Sequence, residues 1–331
     1  MFGRRGRELR GGILHAQVPG GNLLYVTGKM PAGQSSVLLS VDGGANWTDF
    51  FVPATTDIQG EALTVMGSDL WILGSAGSTP VLARIANGVR TDMNNFSALN
   101  GRLSTILARG TAELLGAGPA GELEFTLNPG AATPLWQRAG TAGTTLAVND
   151  LTMPYASSSS LWAVGGLGSI ARSVNGGATW ATQGSGLVSS TLLGVSAVDV
   201  NGTAAGTFVV AVGAGGTILR TSNGGGTWSV DPQSGALTSN TLTAVSCRTT
   251  TSCVAVGAPQ TVLTFDGVSW AVAFGATTGG YSDVDAYQSS TGVPRAIAVG
   301  SSNAYRRFDG VSWLAGIFPS PGGAQLPYWG V

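Results

Sequence analysis

The stretch 212-VGAGGTILRTSNGGGTW-228 decides the fold. A short apolar strand ends at Val212-Gly213 in a glycine-rich turn, and a second strand runs through Thr217-Ile218-Leu219-Arg220. The segment Thr221-Ser222-Asn223-Gly224-Gly225-Gly226-Thr227 then turns the chain, and Trp228 closes the unit. The same unit recurs as Ser40-Val41-Asp42-Gly43-Gly44-Ala45-Asn46-Trp47 and as Ser173-Val174-Asn175-Gly176-Gly177-Ala178-Thr179-Trp180. One residue shorter, it appears as Thr264-Phe265-Asp266-Gly267-Val268-Ser269-Trp270 and Arg307-Phe308-Asp309-Gly310-Val311-Ser312-Trp313.

With the closing aromatic as marker, the series is Trp47, a degenerate Thr91 after Ile85-Ala86-Asn87-Gly88-Val89, then Trp136, Trp180, Trp228, Trp270 and Trp313, at spacings of 44, 45, 44, 48, 42 and 43 residues. Each interval reads as four strands; in the first these are Gly12 to Val18, Leu23 to Thr27, Ser36 to Ser40 and Trp47 to Val52. A period of about 40 to 50 residues with four strands per repeat is the signature of a β-propeller. A four-stranded blade has two apolar faces and covers them only by stacking between two neighbours. The runs Phe208 to Val212, Cys253 to Val256 and Ala296 to Val299 are continuously apolar, as strands buried on both faces should be, and Trp71 and Trp162 occupy the matching place in their repeats. The expectation is therefore an all-β chain: one seven-bladed β-propeller of four-stranded antiparallel blades, about 44 residues per blade, over residues 10–318. A basic arm, residues 1–9, precedes it, and a Pro/Gly-rich tail, residues 319–331, follows it.

Composition agrees. The 331 residues include 52 glycines but only 16 basic and 17 acidic residues, far below the roughly 25% charged content of ordinary soluble chains. This excludes a highly solvated, disordered chain, and a net charge of −1 makes no electrostatic case for nucleic acid or an anionic membrane. Low charge with a mean hydropathy of +0.24 implies a surface partly covered by partners. No apolar run is long enough for a membrane helix. The opening Met1 to Arg7 is basic but lacks the apolar core of a cleavable signal peptide, since Ile13 to Val18 is short and interrupted by His15 and Gln17.

Cys247 and Cys253 lie in 245-VSCRTTTSCVAVG-257. Two strands joined by a short turn would bring them opposite each other at a Cα separation of about 4.4 to 6.8 Å, which a disulfide requires. The alternative is a pair of reduced, half-buried thiols; a disulfide would imply an oxidising destination.

Departures from the repeat are the places where function can be grafted. They are the long box 126-TLNPGAATPLW-136, the insertion 199-DVNGTAAGT-207, the tip Ser157 to Ser160, the arginines Arg4, Arg5, Arg7 and Arg10, and the tail. The tail's prolines forbid a central strand, and its Leu326-Pro327-Tyr328-Trp329 segment is expected to dock on the ring or on a neighbour.

With Ser/Thr-x-Asp/Asn-x-Gly-x-Thr-Trp repeated at blade spacing, the chain resembles the Asp-box (BNR) repeat propellers, most closely the photosystem II assembly-factor (Ycf48-like) subgroup and its bacterial relatives. The cysteine-bearing pattern is similar to that of secreted bacterial members. The resemblance spans residues 10–318 and implies fold rather than activity. The box itself reads as a turn between third and fourth strands. The oxygen of Asp42, Asn175, Asn223, Asp266 or Asp309 accepts backbone N–H groups, the glycines take left-handed conformations, and Trp47, Trp180, Trp228, Trp270 or Trp313 inserts between blades. These aspartates are structural, not catalytic.

Enzyme readings fail on residue types. Sialidases carry the same boxes but require an Arg-Ile-Pro segment, and the nearest match is Arg84-Ile85-Ala86. Glycosidases need two carboxyl groups about 5 to 9.5 Å apart. Glu122 with Glu124, and Asp283 with Asp285, are spaced i,i+2 on strands, about 6.5 to 7 Å apart. Glu122-Leu123-Glu124-Phe125 alternates like a solvated outer strand, whereas Asp283 and Asp285 fall in a first strand, which lines a propeller's channel. His15 is the single histidine, and with two cysteines it makes no zinc site. No nucleophile elbow, Walker loop or dinucleotide loop is present, so no cofactor is expected. Arg109, Asp150, Asp199, Arg248, Asp283 and Asp285 form a mixed-charge channel lining, either filled with water or offering a small-ligand or peptide site at its mouth.

The expected function is that of a non-catalytic structural or interaction module in a larger surface-exposed assembly, a virion or extracellular appendage, contacting other subunits through residues 1–10 and 319–331. The alternatives are a carbohydrate-binding or glycoside-hydrolysing propeller, with a glycan or peptide at the propeller face, and an assembly factor of the photosystem type.

Overall fold

A computed structural model of the chain describes residues 12–18, 21–27, 37–51, 59–66, 68–76, 79–93, 103–109, 113–118, 121–127, 129, 131, 137–141, 147–154, 159–184, 186–199, 207–275, 279–289, 291–300 and 304–318. The arm, the tail, Trp136, Ser158 and Asn201 lie outside them.

The described strands form sheets of four, each a simple antiparallel meander. The first holds β1 (Gly12–Val18), β2 (Gly21–Thr27), β3 (Val37–Ser40) and β4 (Thr48–Phe51). The second holds β5 (Gln59–Met66), β6 (Asp69–Ala76), β7 (Thr79–Ala86) and β8 (Val89–Met93). The third holds β9 (Thr105–Arg109), β10 (Glu113–Ala117), β11 (Glu122–Thr126) and β12 (Gln137–Thr141), and the fourth β13 (Val148–Thr152), β14 (Leu161–Gly165), β15 (Ile170–Ser173) and β16 (Ala181–Gln183). The fifth holds β17 (Leu192–Val198), β18 (Phe208–Gly213), β19 (Thr217–Thr221) and β20 (Ser229–Val230). The sixth holds β21 (Thr241–Thr249), β22 (Ser252–Ala258), β23 (Thr261–Phe265) and β24 (Trp270–Gly275). The seventh holds β25 (Tyr281–Gln288), β26 (Pro294–Gly300), β27 (Ala304–Phe308) and β28 (Trp313–Ile317). This is an all-β propeller of four-stranded antiparallel blades, and the first sheet's strands fall within a few residues of their expected positions.

The core is a series of apolar layers, one between each sheet and the next. Leu63 and Ile72 pack with Val37, and Trp71 and Leu73 pack with Leu103 and Leu114. Further round, Trp162 and Val164 pack with Val209 and Trp228, while Phe208 and Val210 pack with Leu242 and Trp270. The seventh sheet in turn packs on the first, through Tyr287, Ile297 and Tyr305 against Leu24, Val26 and Trp47. Burial on both faces explains the unbroken apolar runs: every residue of β18 is buried. Trp71 and Trp162 are wholly buried, as their place in the repeat required.

The boxes are turns between third and fourth strands. Asp42 Oδ1 accepts the N–H groups of Ala45 (3.0 Å) and Asn46 (2.9 Å). Asn175 and Asn223 accept those of Thr179 and Thr227, each at 2.9 Å. In the short boxes Asp266 accepts Val268 and Ser269, and Asp309 accepts Val311 and Ser312. The box serine or threonine adds a second lock: Ser40 Oγ accepts Gly44 N–H at 2.8 Å, and Ser173 Oγ accepts Gly177 N–H at 2.8 Å. Gly43 and Gly44, at φ 70° and 81°, hold the left-handed conformation that makes the turn. The closing tryptophan packs toward the preceding sheet: Trp47 makes edge contacts with Tyr305 (5.8 Å) and Phe318 (5.1 Å), and Trp270 joins Phe208 and Phe265. Trp180 and Trp313 do the same while partly exposed. The second sheet has no box. Asn87 and Gly88 both have positive φ, a two-residue hairpin turn, and Thr91 is exposed rather than wedged between sheets.

Gly213 in the opening stretch has a separate reason. The first strand bulges between Leu192 and Gly194, which brings its backbone against the end of β18. A Cβ at Gly213 would lie 2.1 Å from the Thr191 carbonyl oxygen. Gly165, Gly257 and Gly300 meet the same close approach in their own sheets.

The expectation for Glu122 and Glu124 is overturned. They belong to β11, which is flanked by β10 and β12, and both are buried, Glu124 at 2% exposure. Their alternation was that of an inner strand with polar groups turned into an inter-sheet layer, not of a solvated edge.

Two outcomes follow from the turns. Gly213→Ala should lower stability by about 3 kcal/mol, because the new methyl meets backbone. Gly215→Ala, at φ 68° with open space around it, should cost about 1 kcal/mol; equal losses in urea denaturation would show the close approach to be unimportant. The second concerns acid. Hydrogen bonds from Ser269 and Val268 hold the Asp266 carboxyl below its ordinary range, as those from Ser312 and Val311 do for Asp309. For Asp42, partial burial pulls upward, but the bonds from Asn46, Ser40 and Ala45 outweigh it. A depressed carboxyl contributes stability above its unfolded value and loses it as pH falls through the folded value. The melting temperature should therefore drop between about pH 5 and pH 2, and drop less when Asp42, Asp266 and Asp309 are replaced by Asn, which keeps the acceptor oxygen.

Candidate functional site

The first strands β1, β5, β9, β13, β17, β21 and β25 contact one another in that order, and β25 contacts β1. They make the inner wall. Each has one edge paired to its second strand and one free edge, whose N–H and C=O groups need partners. Side chains from the neighbouring sheet supply them. Thr64 Oγ1 accepts Ala108 N–H (3.1 Å), Asp150 Oδ2 accepts Val195 N–H (2.9 Å), Ser196 Oγ accepts Cys247 N–H (2.9 Å) and Ser246 Oγ accepts Ala286 N–H (3.0 Å). In the other direction, Ser104 donates to the Val148 carbonyl (2.8 Å), Asn149 to that of Leu192 (2.7 Å) and Thr243 to that of Tyr281 (2.7 Å). These residues staple one sheet to the next, so much of the inner wall's polarity is already used by the scaffold.

The residues expected to line the channel divide accordingly. Asp150 is a staple and also accepts the N–H of Leu151. Arg109, at the end of β9, ion-pairs with Glu113 across its hairpin (Nε to Oε2 2.8 Å) and donates to the Gly176 carbonyl in the fourth sheet's box. Tyr287 makes the corresponding contact at the next junction but one after the sixth sheet, donating to the Gly43 carbonyl of the first sheet's box at 3.0 Å. Gly176 and Gly43 occupy the same box position, so two first strands reach the same point of the following sheet.

Asp199 follows β17, Arg248 is the bulged residue of β21 between Cys247 and Thr249, and Asp285 lies within β25, so the three belong to the first strands of successive sheets, the first two near the hairpin end and Asp285 in mid-strand. Asp283 Oδ1 accepts Val284 N–H at 2.9 Å, and Asp285 Oδ1 is 3.5 Å from Ser246 Oγ. Arg248 Nε is buried without a hydrogen-bond partner among the described residues. Burial first, and then the Asp285 carboxylate, push the Tyr287 hydroxyl up to about 12, against the opposing pull of Arg295 and Arg307. Tyr287 thus stays protonated at neutral pH and donates a hydrogen bond rather than acting as a nucleophile. His15 lies in β1 opposite Leu24. No group of three or more metal-ligating side chains is found among the described residues.

Cys247 and Cys253 are bonded, facing each other across β21 and β22 with Cα atoms 4.0 Å apart. This is closer than the expected range and in keeping with directly opposed cross-strand partners.

Sequence reading missed the staples Thr64, Ser196 and Ser246, and the Tyr287, Arg295 and Arg307 cluster. Thr64 and Ser246 each lie roughly one repeat from the backbone group they serve, 44 residues for Thr64 and Ala108 and 40 for Ser246 and Ala286, but no local pattern distinguishes them from the other hydroxyls of the first strands.

No protein-family model and no curated protein matches this sequence. Solved structures share its fold at low identity. YCF48 from Cyanidioschyzon merolae aligns with TM-score 0.63 at 15% identity, over 94% of this chain and 96% of its own. Virginiamycin B lyase from Staphylococcus aureus aligns with TM-score 0.62 at 10% identity, over 88% and 92%. Chaetomium thermophilum Sqt1, bound to the N-terminus of ribosomal protein L10, aligns with TM-score 0.61 at 12% identity, over 93% and 86%.

The staples make a measurable claim. Ser196→Ala and Ser246→Ala should each lower unfolding free energy by about 1 to 3 kcal/mol, the cost of leaving an enclosed N–H without its acceptor, and Tyr287→Phe by about 1 kcal/mol. Urea denaturation that leaves all three unchanged would show that water satisfies these groups instead.

Proposed function

We propose that the chain is a non-catalytic, seven-bladed Asp-box propeller that serves as a structural and interaction module in a larger surface-exposed assembly, such as a virion or extracellular appendage. Support for a closed ring of seven comes from the packing of the seventh sheet on the first and from the Tyr287 bond to Gly43. Support for the Asp-box assignment comes from five boxes in each of which the Asp or Asn side-chain oxygen accepts backbone N–H groups of the turn, at i+3 or i+4 in the long boxes and at i+2 and i+3 in the short ones.

The observation that carries the interaction role is the outer edge of the sixth and seventh sheets. Their last strands, Trp270–Gly275 and Trp313–Ile317, contain no charged residue. Natural edge strands are ordinarily blunted by charge or proline; β8, for comparison, carries the Arg90 and Asp92 ion pair. Val272, Leu314 and Ile317 are exposed on these edges, and the adjoining box tips expose Val268 at 83% and Val311 at 90%. Apolar side chains gathered on neighbouring sheets mark a surface that a partner covers. The disulfide is in keeping with an oxidising destination, and the Sqt1 structure is a propeller of this fold holding a segment of another protein.

A photo-crosslinking residue at Val311 or Ile317 should capture a protein neighbour in the native source material, while the same residue at Thr182, on the fourth sheet, should not. Recovery of the chain as a free monomer, with no capture at either position, would overturn the reading.

A further inference from the structure

A second surface, on the other side of the sixth sheet, has a different chemistry. Between the fifth and sixth sheets lies a cleft of about 470 Å³, within the size range of small-molecule sites. We propose that this cleft binds a neutral saccharide of one or two rings.

The lining sets the ligand class. Ser222 and Ser229 line it from the fifth sheet, and Thr250 and Thr251, at the tip of the β21–β22 hairpin, line it from the sixth. A hydroxyl both donates and accepts, so a wall of hydroxyls suits a ligand whose own groups do both. Arg220 is the one charged side chain among the described lining residues, and its Nε lies 3.3 Å from the buried Asp231 carboxylate. Its charge is therefore compensated, and an anionic ligand would find no net attraction. A wholly apolar ligand would strip water from the hydroxyls without replacing their hydrogen bonds. The floor is Phe208, largely buried at 6% exposure and stacked on Phe265 with centroids 6.0 Å apart, while the Arg220 guanidinium lies over Phe265; the edge that Phe208 leaves open is the apolar contact for the C–H face of a sugar ring.

The disulfide acts on this cleft. Cys247 and Cys253 close a loop that the hairpin already closes, with a sequence separation of only 6, so the constraint they place on the unfolded chain is small. What they fix is the tip. Thr249 and Thr251 share a hydroxyl contact at 3.2 Å, and Thr251 packs so closely on Gly267 that a Cβ there would lie 2.7 Å from its methyl. The wall carrying Thr250 and Thr251 is thereby held in place before a ligand arrives, which reduces the ordering cost of binding.

The test is calorimetric titration of the full chain with glucose, N-acetylglucosamine, maltose, cellobiose, lactose and trehalose, alongside inorganic phosphate. At least one sugar should bind saturably, and phosphate should not. Ser229→Trp, which fills the cleft from an exposed strand, should weaken that sugar at least tenfold, while Thr182→Trp on the fourth sheet should leave it unchanged. Joint replacement of Cys247 and Cys253 by Ser should weaken it several-fold; equal affinity would remove the pre-organising role of the bond. Absence of any saturable sugar response on folded protein, retention of full affinity in Ser229→Trp, or phosphate binding that displaces the sugar would each overturn the proposal. None of these outcomes bears on the apolar edge of the sixth and seventh sheets.

Discussion

Every sheet in this protein has two apolar faces, and the fold depends on covering both at once. A sheet such as β17 to β20, with its second strand buried along its whole length, cannot exist alone. It needs Trp162 and Val164 on one side and Leu242 and Trp270 on the other. The same demand passes to each neighbour in turn. It is met at the last sheet only because Tyr287, Ile297 and Tyr305 find Leu24, Val26 and Trp47. The box tryptophans belong to this demand rather than to any chemistry: each fills the outer part of the layer shared with the preceding sheet, where the two sheets diverge.

The glycines of the boxes and of the second-strand ends serve the same packing. Those in the boxes let the chain reverse in a few residues while a carboxylate or carboxamide holds the turn closed. Asp and Asn are interchangeable there because the turn uses one acceptor oxygen, which Asn175 and Asn223 supply without charge. Gly213 and its counterparts have the opposite task, admitting another strand's backbone where any side chain would stand in the way. One short stretch, Val212 to Trp228, thus contains both kinds of glycine.

The strand positions, the box hydrogen bonds and the Cys247–Cys253 bond were legible in the sequence because each is local: its partners lie within one hairpin or one turn, and repetition marks them. The staples were not legible. Ser196 serves Cys247 and Tyr287 serves Gly43, partners 51 and 244 residues away, and nothing in the vicinity of either residue announces the other. Glu122 and Glu124 show the same difficulty from another side. Alternation identifies a strand face, but whether that face meets water or another sheet depends on the strand's place in the meander, which the irregular third box obscured.

The inner wall then bears on how function is distributed. A propeller channel invites a reading in which polar first-strand residues await a ligand, yet Asp150, Ser196, Ser246 and Asp283 are engaged by backbone N–H groups. A free strand edge inside the ring must be satisfied from within, and the polar residues that do so cannot be exchanged without loosening the sheets. The outer rim is under no such obligation. There the sheets diverge, the last strands are paired on one side only, and residues can vary without disturbing the inter-sheet layers. The rim is not uniform from junction to junction. Between the fifth and sixth sheets it offers hydroxyls around a compensated guanidinium, and along the outer edges of the sixth and seventh it offers bare valine, leucine and isoleucine. Polar side chains on the inner wall are thus largely committed to holding the sheets together, while the outer rim also carries side chains that the inter-sheet layers do not use.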